Sequence, residues 1–152
     1  MTVDRKLVPA LVGVICGMLA MVGSLGPWAS VWIVTVSGMD GDGMLTAVLG
    51  FVAIGAFGWH VYTGAEGRKS VLLGLAAFLL IATVGIYDWR NLSNLIDEGS
   101  GIFGSAQVGW GLQLVDFAGV DGAIVSVVAI REAGKQPQEV LTDDPPAEAA
   151  AG

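Results

Sequence analysis

Apolar residues in this chain gather into four long runs, at about residues 7–26, 44–62, 71–89 and 108–130, separated by polar or glycine-rich stretches. Each run is close to twenty residues. At about 1.5 Å rise per residue, that length covers the roughly 30 Å hydrocarbon core of a bilayer. Small residues recur within the runs at helical spacing. Gly13, Gly17, Ala20 and Ser24 share one face of the first run, and Ala47, Gly50, Ile54 and Gly58 one face of the second. Gly74, Ala77, Ile81, Gly85 and Asp88 fall near one line of the third. Gly111, Ala118, Gly119, Gly122, Ser126 and Ala129 form the small face of the fourth. Small faces let helices approach closely. The pattern predicts an all-α membrane protein, a four-transmembrane-helix bundle.

The connections predict the rest of the layout. Arg5 and Lys6 before the first run have the look of a signal peptide. The apolar part is nearly twice the usual length, however, and Pro27-Trp28-Ala29 puts proline where a cleavage site wants a small residue, so the run is expected to stay as a helix. Pro27 ends it. Residues 28–37, WASVWIVTVS, are β-branched and aromatic, and predict one interfacial strand with Trp28 and Trp32 at headgroup level. Residues 38–43, GMDGDG, predict a turn with Asp42 capping the second helix. Asp40 and Asp42 alone lack the further ligands of a calcium loop. Ser70 is expected to cap the third helix. Residues 91–109 are the longest connection, and 102–108 are expected to return as a strand beside 28–37. The bundle thus carries a short β element in its extracytoplasmic loops.

Composition agrees. Of 152 residues, 54% are hydrophobic and only 14% charged, where a soluble domain carries about a quarter. One domain, residues 1–131, holds all four helices. The net charge of −7 comes largely from the C-terminal stretch, and residues 132–152 are expected to be a disordered acidic cytoplasmic tail. Nothing is basic enough to bind nucleic acid. The single cysteine, Cys16, excludes an intramolecular disulfide and serves as an apolar filler. Six of the seven lysines and arginines flank one set of helix ends, with Arg90 alone at the other. This predicts a multi-pass plasma-membrane protein with both termini cytoplasmic.

Ionisable residues in apolar runs are where chemistry is sought. The fourth run carries Asp116 and Asp121. An aspartate at mid-helix opposes insertion by about 2.5–3.5 kcal/mol, and each large aliphatic side chain offsets only about 0.3–0.6. Asp88 and Asp116 lie toward the outer surface, and Arg90 is the nearest cation, so a cluster Asp88–Arg90–Asp116 is expected to pin the third helix to the fourth. Asp121 lies near the bilayer centre, about 140° around the helix from Asp116. Three accounts compete for it: a protonated carboxyl, a bend at Gly119 and Gly122 that admits water, or a partner protein that supplies a donor. His60, the only histidine, sits at the inner end of the second run and is expected at the interface rather than in a proton relay. No catalytic, metal-binding or cofactor-binding set is recognised, and no cofactor is expected: the chain lacks a nucleophile elbow, HExxH, a phosphate loop and a Cys/His ligand set.

Three stretches carry a resemblance. Gly26-Pro27-Trp28-Ala29, then Gly38 to Gly43 (GMDGDG), then Val108-Gly109-Trp110-Gly111-Leu112 resemble small actinobacterial four-helix integral membrane proteins of unknown function. The likeness covers roughly residues 7–130 and implies the same four-helix layout, with no active-site residues to carry over. Gln113, Asp116 and Asp121 depart from the apolar continuation usual in that group. In architecture alone, the strand-like first outer loop is similar to that of claudin-type proteins. The expectation is a non-enzymatic structural or accessory subunit that docks in the lipid bilayer on another membrane protein or self-associates as a homo-oligomer. The alternative is a proton- or ion-coupled transport component using Asp116 and Asp121.

Overall fold

The computed structural model describes residues 7–31, 34–63, 68–99 and 106–134. Four helices, α1 (Leu7–Leu25), α2 (Gly43–Thr63), α3 (Arg68–Gly99) and α4 (Trp110–Ala133), are joined by three short strands. Each helix contains a stretch long and apolar enough to cross a membrane. They form a ring: α1 packs on α2 and α4, α3 packs on α2 and α4, and the α1–α3 diagonal barely meets.

Glycine and alanine make up much of the interior, around a few large buried side chains such as Phe57, Phe78, Ile81 and Leu112. Gly13, Gly17, Ala20 and Ser24 are all buried, as is the whole small face of α4. A Cβ on Gly13 would stand 2.7 Å from the Phe57 ring, and one on Gly122 would collide with Phe78. The two rings meet at the bundle centre, 5.9 Å apart and tilted by 43°. Dispersion over close backbones, rather than a large apolar core, therefore holds this interior. In α2 the buried line is Thr46, Gly50, Ala53, Phe57 and His60, whereas Gly58 faces open space. The expected face is rotated because Phe57, a bulky residue, fits the notches left by Gly13 and Gly74.

One end of the bundle is closed by a sheet of order β2-β1-β3. The expected single strand at 28–37 is instead a hairpin, β1 (Pro27–Val31) and β2 (Val34–Ser37), antiparallel with a bulge between Pro27 and Ala29. Strand β3 (Ala106–Val108) pairs antiparallel with β1, Ala29 opposite Val108. It lies within the predicted return segment; the start of that segment, 102–105, is outside the described residues. Trp28 is buried instead of displayed, and its indole N–H donates to the Gly23 carbonyl at 3.1 Å. Trp32 lies outside the described residues. A 3₁₀ turn, Gly38–Asp40, follows, in which Ser37 accepts from the Met39 N–H and Asp40 from the Ser37 N–H. The Asp42 carbonyl then accepts the first helical N–H of α2, from Thr46, at 3.1 Å.

Two helix ends differ from the expected boundaries. α3 begins at Arg68, so Ser70 lies within its first turn, and α3 continues to Gly99. The stretch from Asn91 onward, expected as a connection, stays helical because it holds no proline and keeps Leu92 and Ile96 half-buried four residues apart on one face. α4 runs to Ala133, and the predicted tail beyond Gly134 lies outside the described residues.

Candidate functional site: carboxylates between and upon the helices

Helical phase places the carboxylates. Gly85 of α3 gives Asp116 of α4 its berth: a Cβ at Gly85 would collide with the Asp116 carboxylate. Asp88 stands one turn further along α3, beside Asp116. Both side chains are half-buried, and Asp88 Oδ2 and Asp116 Oδ1 are buried with no hydrogen-bond partner among the described residues. The expected Asp88–Arg90–Asp116 cluster is therefore a pair of carboxylates without its cation. Arg90 is exposed, two residues and about 200° around the helix from Asp88.

Above this pair lies an open cavity of about 260 Å³, between the sheet and the adjoining ends of α3 and α4. Asp40, Asp42 and Asp88 line it with Trp28, Asn91 and Leu112. Sequence reasoning set Asp40 and Asp42 aside as turn residues. The signal that joins them to Asp88 is the continuation of α3 past Trp89, which raises Asn91 and Leu92 beside the hairpin. Among the described residues, no three His, Cys, Asp or Glu side chains converge to hold a metal ion.

Asp121 occupies a different environment. It is exposed, midway along α4, on an outward face shared with Phe117 (68% exposed), Val120, Ile124 (58%) and Val128. Gly119 and Gly122 do not loosen the helix. They bring it onto α3, a Cβ at Gly119 falling 2.6 Å from the Ala82 backbone nitrogen. Asp116 and Asp121 thus share a helix but no seam.

His60 is corrected too. It is only 6% exposed, packed inside the bundle at the end opposite the sheet, and its Nδ1 has no hydrogen-bond partner among the described residues. Glu132 Oε2, at the same end, is also buried and unpartnered among them. The neighbouring Trp59 and Tyr62, 60% and 84% exposed, take the outward positions instead.

Fold and site together define a class: a bundle of four span-length helices closed at one end by a small sheet, with acidic residues both sheltered and bare. No family model, curated protein or solved structure matches the chain.

Proposed function

We propose that this chain is a small multi-pass plasma-membrane protein, both termini cytoplasmic, that serves as a structural or accessory subunit. It docks α4, through Asp121, on a larger membrane complex or on a second copy of itself. It is not an enzyme. The outer surface supports the bilayer setting: Leu25, Phe51 and Phe117, each more than 60% exposed, belong in lipid rather than water. Arg68, Lys69 and Arg131 at the end opposite the sheet support the orientation.

The observation that carries the docking reading is the bare Asp121. A carboxylate at mid-helix opposes membrane insertion by about 2.5–3.5 kcal/mol. Such residues normally turn to the bundle interior or pair with a neighbour. Asp121 is instead exposed on α4, and we take its missing neighbour to lie outside the chain. The test is cross-linking in native membranes from a photoreactive residue at position 124. Defined adducts that persist in Asp121→Asn, which retains hydrogen bonding, and vanish in Asp121→Leu are expected. Adducts indifferent to both substitutions would overturn the reading.

One observation favours the transport alternative, a proton- or ion-coupled component using Asp116 and Asp121. The oxygens of Asp88 and Asp116 that have no partner among the described residues lie beneath an acid-lined cavity, as a route for protons or cations from outside would require. That route still has to pass from Asp116 around α4 to Asp121. Proton flux into vesicles that is lost in Asp116→Asn, with adducts unchanged, would replace the docking reading with this one.

A further inference from the structure

Resting on the docking reading, we infer that the occupant of the α4 face is a transmembrane helix of another protein, carrying one lysine or arginine at mid-membrane depth, rather than a second copy of this chain. The grounds are depth and charge. Gly119 of α4 stands level with Ala82 of α3, and Gly122 level with Phe78. Asp121 therefore lies at the level of residues 78–82 of α3. Every lysine and arginine of the chain lies at residues 5, 6, 68, 69, 90, 131 or 135. Arg131 is ten residues inward of Asp121, about 15 Å along the helix. Arg90 is at least eight residues outward of that level, about 12 Å. Both gaps exceed the reach of an arginine side chain.

Copies of one chain insert with one orientation, so each copy holds its cations at these same depths. A second copy placed against α4 therefore presents no cation to Asp121. About a two-fold axis it presents another Asp121, a like charge. His60 is closer in depth but is enclosed by its own bundle, 6% exposed. The rest of the face, Phe117, Val120, Ile124 and Val128, is apolar and exposed. A complementary helix is apolar with a single base, because an unpaired carboxylate in hydrocarbon is satisfied best by an opposite charge that is itself in need of one.

The full-length protein, with Cys16→Ala and a donor fluorophore on Ala151→Cys, is reconstituted in phosphatidylcholine–phosphatidylglycerol vesicles. It is titrated with acceptor-labelled leucine–alanine transmembrane peptides that carry a central lysine, a lysine two turns off centre, or none. The central-lysine peptide is expected to bind at least about tenfold tighter than the other two, a difference of about 1.4 kcal/mol. Asp121→Leu is expected to lose that preference, and Asp121→Asn, whose amide oxygen still accepts a hydrogen bond from the lysine, to keep part of it. Asp121→Lys is expected to transfer it to a peptide with a central aspartate, a gain of binding that a misfolded variant does not give. Equal binding of all three peptides overturns the inference. Mixing donor- and acceptor-labelled copies distinguishes the two levels. Self-association that depends on Asp121, without lysine preference, overturns the inference and leaves docking in place with a second copy as occupant. Absence of both self-association and lysine preference overturns the inference, and cross-links indifferent to Asp121→Leu overturn the docking reading with it.

Discussion

Asp116 and Asp121 are the same residue type, five positions apart on one helix, yet they meet opposite surroundings. Asp116 enters a notch that Gly85 leaves in α3, beside Asp88 and below a cavity. Asp121 stands exposed among the outward apolar side chains of α4. Five residues at about 100° each rotate one carboxylate about 140° from the other. That rotation carries a side chain from a helix–helix seam to the open flank. The lesson is that the polarity of a membrane-length helix has no single meaning. A carboxylate in the seam takes part in packing, and one on the flank is available to something outside.

Removing the shelter should have the largest effect. Gly85→Leu drives a side chain into the Asp116 berth and is expected to destabilise the bundle by about 3 kcal/mol, the upper range for overpacking. Gly58→Leu, where an added Cβ meets open space, is the control. Unfolding in mixed micelles with increasing dodecyl sulfate, followed by tryptophan fluorescence, measures both. Similar losses for the two would mean that the α3–α4 seam has no special closeness at Gly85.

A smaller and opposite effect is expected from Asp116→Asn. The amide brings N–H donors to a place where Asp88 Oδ2 lacks a partner among the described residues. Stability in the same assay should rise by about 1 kcal/mol. A loss of that size would mean that the paired carboxylates hold the helices together.

The smallest effect is expected from Asp121→Asn in the isolated bundle. An exposed position away from packing contacts changes stability by less than about 0.5 kcal/mol. A larger loss would place Asp121 in the structural framework of its own chain, and the contrast with Asp116 would disappear.

Much of the architecture is legible in the order of the residues alone. Four helices, their order, the small faces of α1, α3 and α4, and the Gly85–Asp88 line all follow from local periodicity. Part of the strand return at the outer end is legible as well. The angle between Asp116 and Asp121 is legible too, because it depends only on helical pitch. What stays hidden depends on neighbours. Phe57 rotates α2 so that His60 points inward, since Gly13 and Gly74 from two other helices leave room for that ring. Leu92 extends α3 because the core offers it a surface. Trp28 turns inward because the Gly23 carbonyl of α1 is there to accept its N–H.

The sequence by itself determined what each residue does to its own helix: where apolar stretches begin and end, and which residues share a face. Only the tertiary structure decided which face meets which neighbour. It thereby decided that Asp116 is sheltered, that Asp40 and Asp42 join Asp88 around one cavity, and that Asp121 is left bare. The physical reason is range. Periodicity is set by bonds between residues a few positions apart, whereas shelter for a side chain comes from residues tens of positions away, brought close only when the helices pack.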